Sequence, residues 1–291
     1  MIQPVHNNSF DKCYVISMDN KHGRKRWDAM VSDPQLGEIV TRFDAINGYK
    51  HDFRDDIRTG VVTERISLWN TKFSKGELGC LMSHYMLWKK IVDESIPVTL
   101  ILEDDAEPRR DDCLATISKM MEYLPTDWDI FLIGFQFEND NSTWVNEHIS
   151  KVTSRFIDMH SYVLTLEGAK RLVAAAPIHL PVDLWVASLA SRMHIYRHRI
   201  TEPSSGGKIR GSVMTQSLRW ESSIRHTTGW TSVINADDPW MVCMYIVILV
   251  LLMLAIGQII VMTSPSLTSE DGDANTSVSV LVVRQPNTQF M

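Results

Sequence analysis

The chain has 291 residues, 44% of them apolar, enough for one large α/β domain or two small ones; one catalytic domain plus an anchor is the simpler division. A formal net charge of -6, with lysines and arginines scattered rather than gathered into a stripe, excludes the footprint of a nucleic-acid binder. Cys13, Cys80, Cys113 and Cys243 are widely spread, without a C-x-x-C pair or zinc-finger spacing, and read as ordinary buried thiols with a reducing compartment mildly favoured.

The opening MIQPVHNNSFDK lacks the charged start and apolar run of a secretory signal. Residues 13–18 (CYVISM) predict a buried first strand, 24–31 a polar helix, and 42–48 (RFDAING) a second strand ending in a turn. The mixed, charged segment 49–70 reads as a surface excursion. Ser74 and Glu77 then form a capping box for a helix whose apolar residues, from Leu78 through Trp88 to Val92, recur at helical spacing.

Pro97 stops that helix, and VTLIL at 98–102 is an unbroken apolar run of the kind found in central parallel strands. Further on, 112–123 predicts a helix, 129–133 a strand ending at Gly134, 159–166 a strand, 167–176 and 182–190 helices, and 194–200 a last strand. Beyond Ser204, Gly206, Gly207 and many Ser and Thr predict a mobile segment.

Residues 241–262 (MVCMYIVILVLLMLAIGQIIVM) form an uncharged run, apolar on every face and about long enough to cross a bilayer. Cations lie before it, at Lys208, Arg210, Arg219 and Arg225, and the tail holds none until Arg284. The expected organisation is a domain over 1–232 with its core at 12–203, a lid or linker over 204–240, a single transmembrane helix over 241–262 and a polar tail over 263–291. The lipid bilayer is then a partner, with the domain cytosolic and the tail lumenal or extracellular.

Chemistry is concentrated at Glu103, Asp104 and Asp105, which follow the apolar strand directly, where open α/β sheets bind ligands. With the strand conformation continued, Glu103 and Asp105 point to one side and can both reach a hard divalent cation. A solvated acidic loop is the bland alternative.

Several segments in order, YVISMDNKHGRKRW, RFDAING, FSKGELGCLMSHYMLWKKIV, VTLILEDDA, WDIFLIG, YVLTLEGAKRL and PVDLW, resemble glycosyltransferase family 25, which includes lipopolysaccharide-biosynthesis glycosyltransferases and procollagen galactosyltransferases. The resemblance covers most of residues 13–200. It implies a GT-A-type, Rossmann-like α/β domain, a nucleotide-sugar donor and an EDD motif holding Mn2+ or Mg2+ through Glu103 and Asp105, with Asp104 beside the donor. It also implies a hexose, galactose or glucose from a UDP-sugar, passed with inversion to a glycan, lipid-linked or protein hydroxyl.

The same resemblance points to Asp183 of PVD as general base, a position where Asp also serves as a helix N-cap. Ser83 and His84 match the family's SH pair, in contact with the donor or as structural supports. Arg24 and Arg26, after the first strand, suit a nucleotide phosphate or a solvated helix face. Lys208 and Arg210, on a Gly-rich stretch where the likeness loosens, read as a diphosphate clamp or as part of a linker. Asp129 opens a strand and reads as structural. A membrane-tethered binding module that keeps the fold without catalysis is the competing reading.

Overall fold

Capping and period set the first half of the chain. The computed structural model describes residues 10–68, 70–137, 142–203, 209–211 and 213–216, all inside the compact unit Met1–Val233. Strand β1 (Lys12–Ser17) leads into helix α1 (Lys21–Val31), whose Asn20 cap accepts a hydrogen bond from the Gly23 amide. After β2 (Val40–Asp44), a short helix α2 (Arg54–Arg58) and a small hairpin of β3 (Arg65–Ile66) and β4 (Thr71–Lys72) precede α3 (Lys75–Asp93). Both halves of the predicted box are made at α3: Glu77 N–H donates to Ser74 Oγ, and Ser74 N–H donates to the Glu77 carboxylate.

Next come β5 (Val98–Glu103), β6 (Ala106–Pro108), α4 (Cys113–Met121) and β7 (Ile130–Phe137), which runs past Gly134 where the sequence predicts its end. The rest is β8 (Thr143–Trp144), β9 (Ile149–Lys151), β10 (Phe156–Thr165), α5 (Leu166–Ala174), α6 (Val182–Ser188) and β11 (Ile195–His198). Three short strands follow, β12 (Thr201–Pro203), β13 (Ile209–Gly211) and β14 (Met214–Gln216).

Among the described residues the main sheet runs β2-β1-β5-β10-β7-β11-β9-β8, with β13 pairing β7 and β12. Strands β2, β1 and β5 are parallel, but β10 lies antiparallel between β5 and β7, so the sheet is mixed. Alternate residues feed two apolar layers. Tyr14, Ile16 and Ile101 face a layer with Trp88, Leu172 and Trp185 of α3, α5 and α6; Cys13, Val15, Leu100 and Leu102 face one with Met30 and Ile117 of α1 and α4. Burial on both faces explains the apolar run at 100–102 within β5.

Two expectations need correction. The segment 49–70 is more than a surface excursion, because Phe53, Val62 and Ile66 are buried in the α3-side layer. The stretch beyond Ser204 contains ordered strands: β13 adds to the main sheet, and β14 pairs antiparallel with β6, next to the acidic triplet. Both gain order from long-range pairing rather than local propensity. The predicted transmembrane run 241–262, the tail 263–291 and Lys208 lie outside the described residues. Among the described residues no helix is long and apolar enough to cross a membrane.

Candidate functional site

The parallel strands β2, β1 and β5 end on one edge, and the loops leaving them meet the first half of α3. They enclose a cleft of about 250 Å³, lined by Ile16, Met18, Arg26, the 45–49 loop, Gly79, Cys80, Ser83, His84 and all three acidic residues. Close backbone approach makes the cleft possible: a Cβ on Gly79 would lie 2.7 Å from Ile46 O and 2.9 Å from Gly48 N. Ser83 Oγ donates to Gly79 O and accepts from Ile46 N–H at 2.8 Å, locking that loop to the helix.

The three carboxylates are treated differently. Asp104 is neutralised by Arg26, 2.8 Å away, with side chains 9% and 11% exposed. Asp105 is buried; its Oδ2 accepts from Gln216 Nε2 at 3.0 Å, while its buried Oδ1 has no hydrogen-bond partner among the described residues. Glu103 Oε1 lies 3.3 Å from His84 Nε2, within hydrogen-bonding distance. Burial, then the neighbouring Asp104 and Asp183 charges, push Glu103 up to about 8. Burial and the charges of Glu103 and Asp104 push Asp105 up to about 7, against Arg26 and the Gln216 hydrogen bond. Both values express one condition: carboxylates withdrawn from water, with neighbouring negative charge only partly offset by positive charge.

On α3, Cys80 and His84 stand one turn apart and face Glu103. The donor atoms of these three lie within 4.8 Å of one another, and they are the one such group of three among the described residues. Cys80 is therefore a cleft residue rather than an ordinary core thiol, and burial followed by the surrounding carboxylates raises its pKa. Burial lowers His84 to about 4, so its ring is neutral.

Other predicted residues sit elsewhere. Arg24 is exposed and pairs with Asp19 at 2.9 Å, away from the cleft lining. Arg210 belongs to β13, its backbone paired with Glu202 and Gln136. Asp183 lies in the first turn of α6, capped by Pro181 rather than by Asp183 itself. Its Oδ1 accepts from Leu184 N–H at 2.8 Å and its Oδ2 from Asp158 N–H at 3.2 Å, supporting the β10 bulge where Asp158 has φ 59°. Asp183 is not among the cleft-lining residues, but its half-buried carboxyl has a raised pKa and its charge acts on Glu103, His84 and Cys80.

Sequence reasoning missed Cys80, Tyr49, Tyr162 and Gln216. The i, i+4 spacing of Cys80 and His84 on a capped helix is a signal that points to the first; nothing local marks Gln216, which arrives through the β14–β6 pairing.

A mixed α/β sheet with undercompensated carboxylates at the carboxyl end of its central parallel strands defines a ligand-binding domain of the open-sheet class. The family model described as glycosyltransferase family 25 (LPS biosynthesis protein) matches residues 10–186, and the chain belongs to that family. It is 33% identical over 120 residues to procollagen galactosyltransferase 1 of Danio rerio, covering 38% of this chain and 19% of that one. With the inactive glycosyltransferase 25 family member 3 of Mus musculus it shares 26% over 196 residues, 63% of this chain and 32% of the relative. The matches thus span a third or less of these relatives' length. The crystal structure of A197 from STIV aligns at TM-score 0.38 and 8% identity, over 73% of this chain and 100% of that one, a likeness too slight to fix substrate or mechanism.

Proposed function

We propose that the chain transfers a hexose, galactose or glucose, from a UDP-sugar to a hydroxyl of a glycan, lipid-linked or protein acceptor, with a divalent cation assisting. The observation that carries this reading is the Glu103–Asp105 pair at the end of β5, both raised in pKa, with the Asp105 Oδ1 buried and unpartnered among the described residues. A hard-oxygen donor set with an unsatisfied oxygen fits Mn2+ or Mg2+, so Glu103 and Asp105 would hold the ion. When bound, it would offset the charge that grows on the leaving diphosphate. Galactose and a protein acceptor are supported by the relatives named procollagen galactosyltransferases, and a glycan acceptor by the family's description.

The protein's own groups have separate tasks in this proposal. Arg26, pinned by Asp104, keeps a guanidinium on the cleft wall for the donor phosphates. Tyr49, 63% exposed at the cleft, offers a ring for a nucleobase. Ser83 and His84 hold the wall, and Lys208 and Arg210 are the proposed clamp over the donor. Asp183 is the proposed base for the acceptor hydroxyl, because its carboxyl is half-buried, raised in pKa and part of the same charge cluster. Residues 241–262 are proposed to anchor the domain to a bilayer from the cytosolic side.

A second reading is a binding module without catalysis, favoured by the mouse relative whose name marks it inactive. Incubating fragment 1–232 with a panel of nucleotide sugars and Mn2+ separates the two. Release of nucleoside diphosphate from one donor supports the enzyme; tight donor binding without turnover supports the module, and neither result with any donor overturns both.

A further inference from the structure

Behind Glu103 lies a chain of three hydrogen-bonding side chains buried in the apolar layer. Trp88 Nε1 is 2.8 Å from Tyr162 Oη, and Tyr162 Oη is 2.9 Å from His84 Nδ1. His84 Nε2 is in turn 3.3 Å from Glu103 Oε1. Trp88, Tyr162 and His84 are each at most 1% exposed, so water does not compete for these groups.

The direction of the chain follows from its first member. An indole nitrogen only donates, so the Tyr162 oxygen accepts from Trp88. The phenol hydrogen then needs an acceptor, and among the described residues the other partner of that oxygen is His84 Nδ1. A buried hydroxyl hydrogen without an acceptor is a costly arrangement, so Tyr162 donates and Nδ1 accepts. A ring whose Nδ1 accepts is the neutral imidazole, with one ring proton. That proton is then on Nε2, facing Glu103.

We propose that Trp88 and Tyr162 fix the tautomer of His84, so that its Nε2–H donates to Glu103 and positions that carboxylate for the cation. Trp88, Tyr162 and His84 are positioning residues: the first two act through His84, and His84 acts through Glu103. The relay also accounts for a cluster that otherwise looks like a metal site. Cys80, His84 and Glu103 bring three donor atoms within 4.8 Å, a set that zinc would favour. With hydrogen on Nε2, that nitrogen has no lone pair to give, and the softer site is closed while the hard-oxygen site stays open.

The role toward a cation rests on the proposed metal site; the tautomer itself does not, so it is measured without metal. In the full chain labelled with 15N-histidine, long-range 1H–15N correlation spectra should show His84 protonated on Nε2 and unprotonated on Nδ1. A His84 protonated on Nδ1 in the wild type overturns the relay. Tyr162→Phe should give a mixture of tautomers and weaken Mn2+ binding, followed by electron paramagnetic resonance, by about ten- to a hundredfold. His84→Gln, which keeps an N–H near the Nε2 position, should bind Mn2+ better than His84→Leu.

Mixed tautomers in Tyr162→Phe with unchanged Mn2+ affinity would remove the positioning role. A thiolate-to-metal absorption band on adding Co2+ would put a cation on Cys80 and Nε2, and would also overturn the proposal. A wild type that shows the Nε2 tautomer but binds no Mn2+ defeats the metal site instead and leaves the relay's direction standing.

Discussion

Asp129 and Asp105 are both buried, 1% and 5% exposed, yet they lie at opposite strand ends, before β7 and after β5, and in opposite electrostatic conditions. Asp129 precedes β7. Its Oδ2 accepts from Arg171 Nη1 at 2.6 Å and from His194 N–H at 2.8 Å, tying α5 and the start of β11 to the sheet. Asp105 follows β5, where one oxygen has Gln216 and the other has no partner among the described residues. Burial is therefore not what separates a structural carboxylate from a ligand site. The difference is whether the fold itself supplies the compensating donors.

The largest effect should come from Asp105→Asn, expected to lower sugar transfer by about 10²–10³-fold while raising the melting temperature of the metal-free chain, because one of the crowded charges is gone. Undiminished transfer in the variant, or transfer indifferent to a chelator, would break the comparison at its ligand end. Asp129→Ala should do the reverse. Unfolding experiments should register a loss of about 2–3 kcal/mol, since His194 N–H loses its acceptor while the half-exposed Arg171 can return to water. Mn2+ affinity should be unchanged; a large drop in affinity would show that the two ends are coupled.

The pH dependence of stability sharpens the same contrast. Glu103 and Asp105 are raised from 4.5 and 3.8 to about 8 and about 7, so the folded metal-free chain binds protons that the unfolded chain releases. Their contribution is fully present below the ordinary carboxylate values and is lost progressively as pH rises from there through about 7 to 8. The melting temperature of the metal-free chain should thus fall over that window, and added Mn2+ should flatten the fall by holding both groups ionised. A melting temperature that rises through the window would contradict the assignment. The smallest expected effect is local: Ser74→Ala should cost about 1 kcal/mol from the broken capping box of α3, with donor and metal binding retained.

Local pattern carried much of this protein. The period of α3 and its Ser74–Glu77 box, the apolar run of β5 and the triplet at its end were legible because each is set by neighbours in sequence. Ordered together, the same segments pointed to the family that the match over residues 10–186 establishes. Pairings across long separations were not legible. Arg26 reaches Asp104 from 78 residues away, Gln216 reaches Asp105 from 111, and Tyr162 reaches His84 from 78. The antiparallel insertion of β10 between β5 and β7 escaped for the same reason, since the residue pattern of a strand does not show which way it points. The sequence by itself determined the main helices, the central strands and where acidic charge collects. Only the tertiary structure decided which carboxylates are compensated and which await a ligand, because hydrogen-bond satisfaction depends on groups brought together by the sheet rather than by the chain.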